Sequence, residues 1–261
     1  MIVEAFMFND EFEMLDIRLK IMNPYVDKFI ILEGNKTWSG NDKPYHLSNH
    51  ITNYDQYKDK IEIIKLKIPK DFKDWKCENY SRTSLQQSID KLDDNDIVIH
   101  SDLDEILNPE KLSELLQLLE TENKPVNCRC SMYAYSFDRK LKRDWYGPVI
   151  AKKYMFDNPQ QLYKGNNHKR KDRSHCCRVH ENVGWHWTWI GNDDRIKNKV
   201  VSCIESQYRD PDQVLEAFKS NDTKSAINHK CDSYLITEFD YPESVLNIIQ
   251  QYPYWSKQEN E

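Results

Sequence analysis

The sequence predicts a single open α/β sheet, mixed in strand direction and flanked by helices. Three observations carry that prediction. Strand and helix signals alternate through residues 1–107. The strand signals there are short, continuous apolar runs, as expected where helices cover both faces of a sheet. No repeat and no low-complexity segment interrupts the chain, so residues 1–261 read as one domain, with a change of character near residue 107.

The elements follow in order. Ile2 to Phe8 reads as a buried strand. Glu11 to Met22 has Phe12, Leu15, Leu19 and Met22 at helical spacing and is stopped by Asn23-Pro24. Val26 to Leu32 is a second apolar strand, Asn35 to Pro44 a polar loop, and Ile61 to Ile68 a third strand. Trp75 to Leu92 is the next helix and Asp96 to His100 the fourth strand. Pro109 to Glu122 is amphipathic, with Leu112, Leu115, Leu116 and Leu119 on one face and Asn108-Pro109 at its start. Beyond it, Val126 to Asp138 reads as a longer strand, with Tyr146 to Tyr154 as its partner. Residues 157–183 look polar and irregular, Val183 to Ile190 extended and Trp-rich. Asp193 to Ser206 and Ser244 to Gln251 close the series as helices. In such a sheet ligands gather beyond the carboxyl ends of the strands, here after Phe8, Leu32, Ile68 and His100.

Composition narrows the function. The net charge is −6 with both signs abundant, which gives no basic footprint for nucleic acid. The run Lys169, Arg170, Lys171 and Arg173 is either a solvated loop or a surface for an anionic ligand. No stretch approaches the ~20 consecutive apolar residues of a membrane span. The first residues run directly into a strand without a signal-peptide pattern, so the expected location is cytoplasmic. Seven cysteines cannot all pair within one chain and read as reduced thiols. A zinc site at His175, Cys176, Cys177 and His180 is disfavoured, because the usual Cys-x-x-Cys pair is missing.

The strongest chemical signal is Ser101-Asp102-Leu103-Asp104-Glu105, directly after the apolar run Ile97 to Ile99. Carboxylates crowded together repel unless a cation lies between them. Mg²⁺ and Mn²⁺ take oxygen ligands, often one or two carboxylates plus substrate phosphates. The expectation is a divalent metal, Mn²⁺ or Mg²⁺, held by Asp102 and Asp104 and completed by a diphosphate. The plainer alternative is an acidic cap on the helix that follows. No glycine-rich phosphate loop is present, so metal and basic side chains would have to neutralise the diphosphate. Exposed aromatic faces stack on sugars, which makes Trp145, Trp187, Trp189 and Tyr135 candidates for acceptor contact; the competing reading is core.

The chain resembles the family 17 glycosyltransferases in several ordered blocks. They are Phe8-Asn9-Asp10-Glu11-Phe12-Glu13-Met14-Leu15-Asp16-Ile17-Arg18, then Val26-Asp27-Lys28-Phe29 with Glu33-Gly34-Asn35-Lys36-Thr37, where the family usually has Ser at Gly34. Tyr80 and Arg82-Thr83, then Asp96 to Ile99 with Asp102-Leu103-Asp104-Glu105-Ile106, and finally Gly184-Trp185-His186, Trp189, Ile196, Lys199 and Ser202 complete the match. The resemblance implies a nucleotide-diphospho-sugar transferase (GT-A-like) fold. It implies a UDP-sugar donor, most simply UDP-N-acetylglucosamine, a glycan acceptor and an inverting transfer. Residues 1–107 would then form the nucleotide-sugar half and 108–261 the acceptor side. Asp194 is the first candidate for general base and Glu181 a weaker one. His186 resembles a third metal ligand. Arg82 and Lys199 would meet the diphosphate, and Asn9, Glu33 and Ser101 the nucleotide-sugar. Rival expectations are a Mg²⁺-dependent nucleotidyltransferase or phosphohydrolase, and a sugar-binding protein of the same fold without turnover.

Overall fold

The computed structural model describes residues 1–156, 176–204, 208–220, 222, 225–226, 233–235 and 241–252. In chain order the strands are β1 (Ile2–Phe8), β2 (Lys28–Gly34), β3 (Ile61–Leu66), β4 (Ile97–His100), β5 (Glu105–Leu107), β6 (Val126–Ala134), β7 (Arg139–Lys152), β8 (Cys177–Thr188) and β9 (Ser233–Leu235). They form one sheet in the order β3-β2-β1-β4-β7-β6-β8-β5, with β9 beside β7. The β3-β2-β1-β4 portion is parallel. β7 joins β4 antiparallel and carries the sheet into the second half of the chain. The expected open mixed sheet is therefore continuous across residue 107.

The helices are α1 (Phe12–Met22), α2 (His46–Asn49), α3 (Trp75–Ser84), α4 (Gln86–Ile89), α5 (Leu112–Glu122), α6 (Asp193–Ser202), α7 (Pro211–Lys219) and α8 (Glu243–Ile249). Alternate residues of β1 feed the two faces, as the pleat requires. Phe6 and Phe8 join α1, α5 and α8 through Leu15, Leu19, Leu115, Leu119 and Ile249. Val3, Ala5 and Met7 join Cys77, Leu85 and Ile89 of the α3–α4 side. Beyond β6, Met132 and Ala134 pack with Ile196, Val200 and Phe218 of α6 and α7.

Several expectations are corrected. The helix expected over Trp75 to Leu92 is two pieces that meet at Leu85. The strand from Val126 stops at Ala134, because Tyr135 takes a left-handed backbone with φ 75. Its partner is longer than Tyr146 to Tyr154, running from Arg139. The helix from Asp193 ends at Ser202, where Cys203 turns extended. β5 follows the acidic motif and was missed, being only three residues long. Residues 177–183, read as irregular, belong to β8: Arg178, His180 and Glu181 are polar because they are exposed. Residues 157–175, including the basic run at Lys169 to Arg173 and His175 of the disfavoured zinc pattern, lie outside the described residues. Among the described residues no two cysteines are joined by a disulfide. No helix among the described residues is long and apolar enough to cross a membrane.

Candidate active site

The site is assembled from the carboxyl ends of β1 and β4, which lie side by side. β1 delivers Asn9, Asp10 and Glu11; β4 delivers Ser101 to Asp104. One buried side chain fixes the second loop. Arg18, on the inner face of α1, donates from Nη1 to the carbonyls of Asp102 (2.8 Å), Leu103 (3.1 Å) and Glu105 (3.2 Å). Its Nη2 donates to Ser101 Oγ at 2.8 Å, and Nε to Glu4 Oε2 at 2.9 Å. Ser101 Oγ in turn donates to the Glu105 carbonyl at 3.1 Å. Ser101 is thus wholly buried and braces the loop from behind, away from the lining of the cleft.

Glu105, the third acid of the motif, is also buried and structural. Its Oε2 accepts the Asp102 N–H at 3.0 Å and its Oε1 the Trp145 indole N–H at 2.5 Å. Gly147 makes room for it: a Cβ there would lie 2.5 Å from the Glu105 carboxyl carbon. Glu105 pairs in register with His186 across β5 and β8, which sets the imidazole beside the acidic loop.

Asp102 and Asp104 then face a common cleft of about 300 Å³. Asp102 Oδ1 accepts from Arg82 Nη2 at 2.8 Å, and the same nitrogen donates to Glu78 Oε1 at 3.0 Å. Asp104 Oδ2 accepts from Lys199 Nζ at 2.8 Å, while Oδ1 lies 3.5 Å from His186 Nε2. His186 lies tilted against Trp145, ring centroids 4.6 Å apart, and its Nδ1 is buried without a hydrogen-bond partner. Burial would raise the Asp104 carboxyl, but the Lys199 ammonium and the His186 ring together outweigh it and hold it well below the usual carboxylate range. Glu11 behaves alike: burial pushes it up, and Arg195, Lys199 and the Asp10 N–H bring it below its ordinary value.

Helix α6 spans the rim. The Asn192 side chain caps its first turn by accepting from the Arg195 N–H at 2.8 Å. Arg195 reaches Asp10 at 3.0 Å and Glu11 at 2.8 Å. Ser39, in the loop after β2, donates to the carbonyls of Val201 (2.9 Å) and Ser202 (3.1 Å).

The structure sorts the candidates. Asn9, Arg82, Asp102, Asp104, Trp145, His186 and Lys199 line one cleft. Glu33 does not: its carboxylate is buried and accepts from the N–H groups of Leu47 and Ser48, capping α2. Glu181 is about 16 Å along β8 from His186 at the strand rise, half exposed and 3.6 Å from Lys111. Asp194 sits in the first turn of α6 and is not part of the cleft lining, which favours a helix-dipole role. Trp187 is core, fully buried, stacked on Trp185 and donating to Tyr241 Oη at 3.2 Å. Tyr135 stacks on Phe218 at 5.2 Å, and Trp189 packs against the same ring, behind the cleft rather than in it. Lining residues that the sequence reading overlooked are Glu11, Trp38, Trp75 and Glu78; Arg18 and Arg195 were missed as supports.

Among the described residues no three His, Cys, Asp or Glu side chains converge as a ready-made metal site. The donor set instead fits a hard divalent ion held by one or two protein ligands, Asp104 and Asp102 with His186 adjacent, and completed by substrate phosphates.

Fold and cleft define a chain with paired acids at the switch between neighbouring parallel strands, where open α/β sheets bind ligands. The model of glycosyltransferase family 17 matches residues 1–219, and the chain belongs to that family. It is 30% identical over 248 residues to the rat β-1,4-mannosyl-glycoprotein 4-β-N-acetylglucosaminyltransferase, a match covering 79% of this chain and 43% of the relative. The human protein of the same name is 30% identical, with 79% and 44% covered. The chain therefore spans less than half the length of these curated relatives. Among solved structures, residues 1–349 of S. aureus TarS align at 8% identity and a TM-score of 0.44, over 97% of this chain and 81% of that one. A likeness that weak carries no argument.

Proposed function

We propose that this chain is a glycosyltransferase that moves a sugar from a UDP-sugar, N-acetylglucosamine first among candidates, to a glycan hydroxyl. One observation carries the reading: in a family 17 chain, Asp102 and Asp104 lie in the same cleft, each bridged to a cation, Arg82 or Lys199, able to meet a diphosphate. Asp104 and Asp102 would hold Mn²⁺ or Mg²⁺, with His186 beside them. Such an ion acts as a Lewis acid on the leaving diphosphate.

The chain's own part is positioning. Arg18 and Glu105 fix the acidic loop before any ligand arrives, so little ordering remains to oppose binding. Arg82 and Lys199 neutralise phosphate charge in a partly buried cleft, where such contacts count for more than in water. Trp38, Trp75 and Trp145 give the cleft aromatic faces for a pyranose ring. Transfer with inversion follows the family resemblance and is read from the anomer of the product.

A panel of UDP- and GDP-sugars with Mn²⁺, read by thermal stabilisation and then by transfer, tests the proposal. The true donor raises stability by about 2.7 kcal/mol at a hundredfold excess over its Kd. Asp104→Asn is expected to abolish that gain while the protein stays folded. Equal stabilisation of wild type and Asp104→Asn would reject the site, and release of pyrophosphate instead of UDP would reject the reaction class.

A further inference from the structure

We propose that Lys199 is a resident counter-ion for Asp104, one that yields the carboxylate to a divalent cation by swinging onto the donor's diphosphate. The inference rests on the metal and donor reading above and adds an exchange to it.

The geometry around Asp104 sets up a competition. One oxygen accepts from the Lys199 ammonium at 2.8 Å, and the other faces His186 Nε2 at 3.5 Å. A divalent ion on this carboxylate would stand across it from the ammonium, and like charges that close repel strongly in a partly buried site. Glu11 adjoins the pair, and Arg195 in turn bridges Glu11 and Asp10. Asp102 differs. Its partner Arg82 is almost fully buried and divides its donors between Asp102 and Glu78, so that guanidinium is built in. Lys199 is more exposed and rides on a flexible four-carbon stem.

The ammonium also has somewhere to go. It lines the open cleft, so a path toward a bound diphosphate is clear, and what it would leave besides Asp104 is a weak contact with the Trp189 ring, 5.6 Å to the centroid. Helix α6 does not need to move, since Arg195 holds it to Asp10 and Glu11 and Ser39 holds its last turn. Rotation of one side chain is enough. Between ligands, Lys199 screens a carboxylate that would otherwise repel Glu11.

Calorimetric titration of MnCl₂ and of UDP into wild type, Lys199→Met and Lys199→Arg tests this. Met matches the four-atom stem and removes the charged nitrogen. Lys199→Met is expected to bind Mn²⁺ alone about fivefold more tightly, the scale of one lost ion pair, and to bind UDP in saturating Mn²⁺ more weakly. Lys199→Arg is expected to stay close to wild type for both. Opposite changes for the two ligands are the signature, because a lysine that only supports the fold would weaken both. Unchanged Mn²⁺ affinity in Lys199→Met, or parallel loss of both ligands, overturns the exchange. Wild type that binds no Mn²⁺ even with UDP overturns the donor reading itself, and the exchange falls with it.

Discussion

Arg18 and Glu4 form an ion pair with neither side chain exposed, Nε to Oε2 at 2.9 Å, between helix α1 and strand β1. The remaining guanidinium nitrogens are spent on the loop that carries Asp102 and Asp104. The pair therefore couples the core of the sheet to the cleft. Removing Arg18 alone leaves a buried carboxylate and takes one donor each from the Asp102, Leu103 and Glu105 carbonyls.

Arg18→Met should accordingly cost about 3–5 kcal/mol, the usual penalty for breaking a buried pair on one side. Adding Glu4→Gln should recover most of it, since no buried charge then remains. Urea unfolding of the single and double variants measures this. The double variant is also expected to stay folded yet gain less stability from UDP and Mn²⁺, because its acidic loop has lost its anchor. Full ligand stabilisation in the double variant would show that the loop holds its shape without Arg18.

Gly147→Ala should destabilise by about 1–3 kcal/mol, the range for overpacking. The added methyl would press on the Glu105 carboxyl, whose two oxygens hold Trp145 and the Asp102 backbone. Glu105 cannot retreat into solvent, being fully buried. Thermal unfolding reads the cost, and near-ultraviolet circular dichroism reads the displaced indole. A variant unchanged in both would mean that Glu105 has a second place to go.

The parallel half of the sheet was legible because its strands are apolar on both faces: Ile30 and Ile31 of β2 look into opposite cores, and both are apolar. The acidic loop was legible for the same reason, since it interrupts such a run. Arg18 could have been found. It falls three residues after Leu15 and four before Met22, on the apolar stripe of α1, where a charge needs a buried partner; Glu4 inside an apolar strand is the matching anomaly. That Glu181 and Asp194 lie outside the lining of the cleft was not legible, because sequence order does not fix which way a strand or helix end faces. Trp187 and Tyr135 show the limit of aromatic counting, because an indole or phenol in or beside a β-strand serves core and cleft with the same composition. Arg195 lies 185 residues from Asp10, a pairing that only the folded chain creates.

Acid should weaken the fold through the same cleft. The Asp104 and Glu11 carboxyls are held below their ordinary values, so each binds its proton less readily in the native protein than in the unfolded chain. Their contribution is present above the unfolded value, about 4, and is lost as pH falls from there through the native values. Lys199→Met removes a cation that lowers both groups. The variant is therefore expected to be less stable than wild type at pH 7, and the gap between the two to narrow as pH falls below about 4, read by urea unfolding at each pH. Equal stability at pH 7, with no narrowing in acid, would mean that the Lys199–Asp104 bridge contributes nothing to the native state.

Trp75 offers a test of the cleft that spares the core. The residue opens helix α3 just after Asp74, whose backbone is left-handed at φ 53, and it is 55% exposed although it is among the largest apolar side chains. An exposed indole on a cleft rim does little for stability, so Trp75→Phe should unfold within about 0.5 kcal/mol of wild type. The ring nevertheless lines the same cleft as Asp102 and Asp104, together with Trp38 and Trp145. A sugar or base entering that space alters the surroundings of all three indoles. Titrating UDP-N-acetylglucosamine with Mn²⁺ should change the tryptophan emission of wild type, and Trp75→Phe should lose a measurable share of that change. An unchanged response would place the ligand against Trp145 and Trp38 alone. Loss of stability without loss of response would make Trp75 a packing residue despite its exposure.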